Sequence, residues 1–247
     1  MEDLLKKLIN LNTTKFSRTI TASSLKSDFR INFPVPITLD KELNYELGMM
    51  WFSTYNSIYN ITKENNTFRY SKDNGKTFKE ITLIPGAYEI KDINLKLQPL
   101  LGDKNFHIVA NANINRVVIT LPENFQVDFT QENNFHKLLG FEKKVYKTGV
   151  NIGENIGKIS KVLSINIECD LVNGNYTNGQ LDNILYSFPA NTVPLGVNMI
   201  ERMNPPKYLP VSRKMIDSIH IRIIDQDGDL ISFNGEEINM WLDLKQV

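Results

Sequence analysis

Three aspartates in one short segment are the nearest approach of this sequence to a cation site. They are Asp225, Asp227 and Asp229, which alternate with Gln226 and Gly228. Carboxylate oxygens suit calcium, but the glycine falls at the fourth position of the segment, whereas an EF-hand loop needs it at the sixth. Asp-Gly is also a strong signal for a hairpin turn. The segment is therefore interpreted as a turn, and the sequence predicts no metal site. If a cation does bind, these three aspartates are the candidates for its ligands.

A glycine-rich segment, GVNIGENIGKIS over 149–160, superficially resembles a phosphate-binding loop. Its spacing does not fit, because three residues separate Gly153 from Gly157 where the motif has four. Ile159 also stands where the motif needs a Ser or Thr to hold magnesium. The segment leads into a predicted strand, whereas phosphates are bound at the N-terminus of a helix. We therefore predict no nucleotide site and no cofactor.

The residues that could act as nucleophiles or general bases are scattered along the chain. His107, His136 and His220 each lack a second metal-type ligand two to four residues further on. Cys169, the single cysteine, lies in a predicted strand, where a cysteine ordinarily behaves as a small buried hydrophobic residue. The sequence contains no Gly-x-Ser-x-Gly segment, and no pair of carboxylates stands out. We therefore predict no catalytic residue and no enzymatic activity.

The composition is that of a soluble globular protein. The 247 residues include 28 basic and 28 acidic side chains, 41% hydrophobic residues and 29 asparagines. A net charge of zero argues against a protein whose main task is to bind nucleic acid electrostatically. No window has the roughly 18 apolar residues that a membrane helix needs. The many asparagines favour turns and polar loops.

The N-terminal 26 residues differ from the rest of the chain in charge. They carry five bases and two acids, a local charge of +3, and the stretch over 12–28 is polar and rich in Ser and Thr. These features predict a flexible arm over 1–26. The apolar stretch near the start is too short for the core of a signal peptide, so we expect a protein that is not secreted and is intracellular before any assembly.

Alternating apolar and polar residues predict strands through most of the remaining chain. Residues 29–35 alternate and contain Pro34, which predicts an edge strand. Residues 45–53 become apolar on both faces, which predicts a strand in the middle of the fold. Asp73-Asn74-Gly75 predicts a hairpin within 67–83, and 106–121 predicts a second one.

Helices and loops interrupt this pattern. A helical face begins at Tyr88 and Pro99 is expected to stop it, and a second short helix is predicted over 131–139, closed by a glycine. Residues 142–158 are basic and rich in glycine, and 189–213 contain five prolines with little periodicity. We predict a loop for the former and, for the latter, a long ordered connection lying across other elements or a surface loop.

The strands occur in hairpins, and residues 216–244 read as a three-stranded meander. Strands joined in this way form antiparallel sheets. About nine or ten strands in a chain of this length fit one sandwich, and a jelly roll suits the strand number and the long crossovers. The sequence therefore predicts an all-β fold, a single jelly-roll antiparallel β-sandwich over 27–247 with two short helices, preceded by the arm.

Four segments of the sequence together resemble a known family. They are ITLIPGAYEIKDIN (81–94), NNFHKLLGF (133–141), ILYSFPANTVPLG (184–196) and KYLPVSRKMIDSIHIRIIDQDGDLISFNGEEINMWLDL (207–244). Their order and spacing are similar to those in the minor capsid protein, or penton, of Polinton/Maverick elements and the related adintoviruses. The resemblance covers the chain from about residue 28 to its end.

The resemblance implies a structural role and no catalytic residues. A penton of this family is a single jelly roll, and five copies form a homopentamer at each vertex of an icosahedral shell. Its neighbours are trimers of a double-jelly-roll major capsid protein, and its location is the virion. The expected contact surfaces are the hairpin of the 60s and 70s, the segment 142–158 and the connection 189–213. The basic arm would touch neighbouring capsomers or packaged DNA.

Two other interpretations remain open from the sequence. A carbohydrate- or receptor-binding module is one, since lectins share the jelly-roll architecture. One jelly-roll unit of a hexon-like major capsid protein is the other, although two jelly rolls do not fit comfortably in 247 residues. An enzyme on a β-barrel, such as a cupin, would need a cluster of His and Glu on adjacent strands, which three scattered histidines supply poorly.

Overall fold

The computed structural model describes residues 16–177, 179–190 and 192–247. The described residues form two helices and sixteen strands, and all ladders between the strands are antiparallel. The predicted all-β, antiparallel fold with two short helices is therefore confirmed. The chain folds into two compact units. Within the described residues, unit 1 comprises 16–57 and 162–247, and unit 2 comprises Ile58–Lys161.

The elements follow one another in this order. The strands are β1 (Ser17–Ser24), β2 (Asp28–Thr38), β3 (Tyr45–Tyr55), β4 (Thr67–Ser71), β5 (Lys79–Thr82), β6 (His107–Asn111), β7 (Arg116–Asp128), β8 (Val145–Ile152), β9 (Ser164–Cys169), β10 (Asn175–Thr177), β11 (Gln180–Asp182), β12 (Ile184–Pro189), β13 (Asn198–Arg202), β14 (Tyr208–Pro210), β15 (Met215–Ile224) and β16 (Ile238–Gln246). The helices are α1 (Ile90–Leu101), between β5 and β6, and α2 (His136–Leu139), between β7 and β8.

The strand order of unit 1 is that of a jelly roll. Its first sheet has the order β1-β16-β3-β13, with β14 also paired to β3, and its second sheet has the order β12-β9-β15-β2. Apart from β14, eight strands make up these two sheets, namely β1, β2, β3, β9, β12, β13, β15 and β16. When these are numbered one to eight along the chain, the first sheet has the order one, eight, three, six and the second the order five, four, seven, two. Two antiparallel sheets connected in this way form the double Greek key of a jelly roll. The predicted jelly roll is thus confirmed.

The core of unit 1 lies between its two sheets. On β16, Met240, Leu242 and Leu244 are fully buried while the residues between them face outward, as the period of a half-buried strand requires. Phe52 of the first sheet packs against Phe188 of the second, with 5.2 Å between ring centroids. The predicted positions of two strands are also correct, since β3 lies inside the first sheet and β2 is an edge of the second.

Unit 2 is built on one sheet of order β5-β4-β7-β6, with β8 paired to the other side of β7. The predicted hairpin joins β4 to β5, and Asn74 and Gly75 adopt positive φ values of 60° and 85° in its loop. Helix α1 begins where Asp92 Oδ2 accepts the Glu89 N–H at 3.0 Å. Gly102 ends it in the left-handed conformation. Pro99 therefore lies inside the helix and does not stop it, contrary to the prediction.

An aromatic cluster forms the centre of the unit 2 core. Phe68 on β4 is fully buried, and its ring lies 5.9 Å from that of Phe106, 6.2 Å from that of Phe129 and 5.7 Å from that of Phe135. Helix α1 adds its apolar face through Ile90, Ile93, Leu97 and Leu101. Unit 2 thus has its own hydrophobic core.

The extent of the jelly roll differs from the prediction. All its strands belong to unit 1, whereas the predicted single domain over 27–247 also contains unit 2, whose own core separates it as a compact unit between β3 and β9. The predicted arm over 1–26 differs as well. Residues 17–24 form β1, which is held by eight residue pairs to β16 and buries Ile20 and Ala22. The remainder of the arm, 1–15, lies outside the described residues.

Four local predictions about secondary structure are wrong. The predicted helix over 131–139 is confined to His136–Leu139. The predicted loop over 142–158 contains β8, and the connection over 189–213 contains β13 and β14, which pair with β3. The predicted meander over 216–244 is not one sheet, because β15 belongs to the second sheet and β16 to the first. In a jelly roll consecutive strands cross between sheets, and the alternation of side chains within each strand does not reveal this.

Candidate functional site

The three clustered aspartates form the predicted turn. Asp225 is buried, and its Oδ1 accepts the N–H of Asp227 at 2.9 Å and that of Asp229 at 3.0 Å. Asp227 Oδ2 accepts the side-chain amide of Gln226 at 2.9 Å. The Asp225 carboxylate therefore stabilises the turn backbone. Across the described ranges, the structure brings together no group of three His, Cys, Asp or Glu side chains suited to a metal ion.

The glycines of the segment 149–160 have a packing role. A Cβ atom on Gly153 would lie 3.1 Å from the carbonyl oxygen of Gly140, and one on Gly157 would lie 3.0 Å from that of Leu138. The Asn155 N–H also donates to the Gly140 carbonyl at 2.9 Å. The segment therefore runs close against the end of α2, and the small residues permit this approach. No helix follows Gly157 within the described ranges, so the arrangement differs from a phosphate-binding loop.

A hydrogen-bonded group around Glu154 also holds the same segment in place. Glu154 accepts from the Tyr146 hydroxyl at 2.7 Å and from Lys144 Nζ at 2.6 Å. Burial of Glu154 opposes its ionisation, but these two hydrogen bonds outweigh that effect and lower its pKa to about 2. The carboxylate is consequently ionised at neutral pH and acts as a structural acceptor.

The remaining candidates for catalysis lie apart in the fold. Cys169 is fully buried in β9, and burial raises the pKa of its thiol to about 12, so the reactive thiolate is disfavoured. His136 on α2 is buried with Nδ1 2.6 Å from Asn134 Oδ1, and burial lowers its pKa. His107 lies on the exposed side of β6. The structure does not join these three residues into one site.

The outer face of the second sheet carries a network of ion pairs. His220 Nε2 lies 2.7 Å from Asp28 Oδ1, and Arg222 Nη1 donates to Glu168 Oε2 at 2.7 Å. Arg222 Nε lies 3.8 Å from Asp28 and joins the two pairs across β9, β15 and β2. The hydrogen bond from His220 lowers the pKa of Asp28. We call this surface the charged face.

The outer face of the first sheet carries both tryptophans of the chain. Trp51 on β3 and Trp241 on β16 are register partners, and their ring centroids are 5.2 Å apart at an interplanar angle of 45°. Trp241 is 49% exposed. Thr21 on β1 is the register partner of Trp241 on its other side, and Arg202 on β13 is that of Trp51. We use the name aromatic face for the row of Thr21, Trp241, Trp51 and Arg202 together with the outward-facing residues beside it on the first sheet.

At one end of the aromatic face, a tyrosine ring covers the sheet. Tyr208 on β14 lies over Gly48, where a Cβ would come within 2.8 Å of the tyrosine ring. Its hydroxyl donates to Asp243 at 3.0 Å, and Lys245 Nζ lies 3.4 Å from its ring centroid. Tyr208 and Lys245 thus already have partners within the face. The aromatic face was not predicted, although the presence of only two tryptophans, both in predicted strands, was the available signal.

Unit 2 presents an apolar strip on the outer side of its sheet. Val109, Val118 and Ile152 lie side by side across β6, β7 and β8, and Val150 follows on β8 with 69% of its surface exposed. Two of the three predicted contact regions lie in unit 2, namely the β4–β5 hairpin and the segment 142–158. The third, over 189–213, belongs to unit 1. Large contiguous apolar patches are a feature of surfaces that bind other proteins.

None of the helices in the described ranges has the length and apolar character to span a membrane. The sequence matches no protein-family model and no curated protein. Among solved structures, the chain is similar to the selenomethionine-labelled mavirus penton protein, with 12% sequence identity and a TM-score of 0.49. The similarity covers 94% of this chain and 100% of that one.

Proposed function

We propose that this protein is a penton, a minor capsid protein whose homopentamers occupy the five-fold vertices of an icosahedral viral shell. The observation that carries the proposal is the complete jelly-roll strand order of unit 1, a fold that viral capsid proteins use widely. The resembling segment 207–244 supplies β14, β15 and β16, which contribute to both sheets. The role is structural and not enzymatic, and its location is the virion.

The surfaces of unit 1 support assembly into a ring. A closed ring needs heterologous contacts, in which one surface of a subunit meets a different surface of the next. The charged face of the second sheet, with its ion pairs, supplies one of these surfaces. The apolar strip of unit 2 is a further surface, available to the neighbouring double-jelly-roll major capsid protein. The N-terminal segment 1–15, which precedes β1 and carries three bases and two acids, is assigned to the shell interior, against neighbouring capsomers or DNA.

Solution mass tests the pentamer directly. Multi-angle light scattering should give about five times the chain mass of 28.4 kDa, alone or after addition of the major capsid protein. Arg222→Glu should weaken the ring, because it replaces the cation that joins Asp28 to Glu168 on the charged face. Lys41→Glu, at an exposed position, is the matched control. A trimer would indicate a hexon-like capsomer, and a monomer under both conditions would refute the proposal.

The arm is tested separately by deleting 1–15, which leaves β1 intact. Particles assembled from this variant and the major capsid protein should form less efficiently or package less DNA. Normal assembly and packaging would exclude the assigned role of the segment without affecting the pentamer.

A further inference from the structure

The aromatic face presents apolar side chains to solvent. Trp51 and Trp241 lie beside each other on adjacent strands. Ile200, on β13 of the same sheet, has 47% of its surface exposed. Aromatic side chains present up to roughly 250 Å² each, so the exposed parts of these residues amount to roughly 300 Å². A stable protein interface buries about 800 Å² per partner. The exposed apolar area of these three residues is smaller than that and is sufficient for a small ligand.

The residues around the indoles are hydroxyl and amide groups. Thr19, Thr21 and Ser23 lie on the neighbouring strand β1, and Asn239 precedes Trp241 on the same face of β16. Strands in a sheet are about 4.8 Å apart, so the row from Thr21 through both indoles to Arg202 is roughly 14 Å long. A row of this length accommodates two linked sugar rings. Sugars combine an apolar C–H face, which packs on an aromatic ring, with hydroxyl groups that bond to polar side chains.

Arg202 gives the face its charge preference. Its side chain is exposed and has no hydrogen bond or ion pair with any of the described residues. The other cation of the face, Lys245, lies over the Tyr208 ring, and the carboxylate of Asp243 accepts from Tyr208 and Ser17. The unpaired charge at the end of the row is thus a guanidinium, which binds carboxylates through paired N–H donors.

We propose that the aromatic face is a binding site for oligosaccharides that end in a carboxylated sugar. The two indoles stack against the sugar rings, Arg202 pairs with the carboxylate, and Thr21 lies at the opposite end of the row as a hydroxyl partner. Sialic and uronic acids share this chemistry. The inference goes beyond the vertex role and does not depend on it, because all these residues belong to one subunit.

Intrinsic tryptophan fluorescence tests the site, since both tryptophans of the chain lie in it. The full chain is titrated with 3′-sialyllactose, with a hyaluronan tetrasaccharide that carries glucuronate, and with neutral lactose. A saturable change in emission with either acidic sugar, and a much weaker one with lactose, is expected. The first two sugars distinguish sialate from uronate. No saturable change with either acidic sugar, or equal affinity for lactose, would overturn the proposal.

Variants separate the proposed contacts from general effects on folding. Arg202→Gln, at an exposed position, should weaken binding of the acidic sugar by about tenfold to a hundredfold, as expected for loss of a charge-assisted hydrogen bond. Trp241→Ala should weaken it similarly while Trp51 still reports. Tyr176→Ala, an exposed aromatic on the β10–β11 hairpin, is the control that should bind normally. Unchanged affinity in Arg202→Gln and Trp241→Ala would refute the site. Emission that changes with protein concentration alone would identify a contact between copies instead.

Discussion

Two helix-ending glycines of unit 2 provide a matched test of how closely the segment 149–160 packs against the end of α2. Gly102 ends α1 and Gly140 ends α2, and both adopt left-handed conformations, with φ of 63° and 79°. A Cβ on Gly102 would meet nothing within 4 Å, whereas one on Gly140 would lie 2.2 Å from the carbonyl oxygen of Asn155. Substitution by alanine therefore imposes the same backbone strain at both sites and a backbone collision only at the second.

The expected costs follow from these two contributions. A left-handed alanine costs about 1–2 kcal/mol, which is the whole expected loss of unfolding free energy for Gly102→Ala. Gly140→Ala adds an overpacking cost of about 1–3 kcal/mol, because the segment that contains Asn155 must move away, giving about 2–5 kcal/mol in total.

Urea unfolding followed by circular dichroism measures the difference between the two variants. Hydrogen exchange of peptides from 136–159 locates it, and Gly140→Ala alone should lose protection around Asn155. Both substitutions lie in unit 2, so any deviation from two-state unfolding affects them alike. Equal destabilisation of the two variants, with exchange around Asn155 unchanged, would refute the close packing of Asn155 against Gly140.

Three further perturbations test other parts of the fold. Glu154→Gln should lower the unfolding free energy of unit 2 by about 1–2 kcal/mol at neutral pH, after allowance for partial exposure. The pKa of Glu154 is lowered from 4.5 to about 2 in the folded protein. The difference in stability between the wild type and the variant should therefore vanish in acid titrations as the pH falls through that interval. Phe68→Ala should cost about 3–5 kcal/mol in urea unfolding, and the half-buried Phe78→Ala clearly less; equal losses would contradict the placement of the core. Replacing Pro34 and Pro36 by threonine restores two N–H donors on the edge strand β2 and should increase self-association in light scattering, whereas an unchanged size distribution would show that this edge is protected by other means.

The elements that alternate strongly were predictable from the sequence. The run from 45 to 53 indicated an inner strand, and Asn74-Gly75 indicated a hairpin, because in both cases local chemistry determines the structure. Strand β8 was missed because most of its side chains are exposed, so that its sequence lacks a buried alternate face. Strands β13 and β14 were missed because they are short and lie among prolines.

Long-range partners account for the remaining differences. The division into two units depends on which strands pair across more than a hundred residues, and a local pattern does not contain this information. The aromatic face has the same origin, since Trp51 and Trp241 meet only through the register of β3 with β16. The clustered aspartates, by contrast, were interpreted correctly as a turn, because the hydrogen bonds of the Asp225 carboxylate are confined to five consecutive residues.

The position of β16 has a consequence for how the chain is made. This strand lies between β1 and β3 in the first sheet, so the jelly roll cannot close until residues 238–246 have left the ribosome. Unit 2 is a continuous segment with its own core and is complete once residue 161 has emerged. During synthesis, therefore, unit 2 would fold first. The strands of unit 1 would remain an incomplete sandwich, without β16 between β1 and β3, until the end of the chain emerges. Late ribosome-bound chains are therefore the stage at which the apolar face of an incomplete sandwich is exposed.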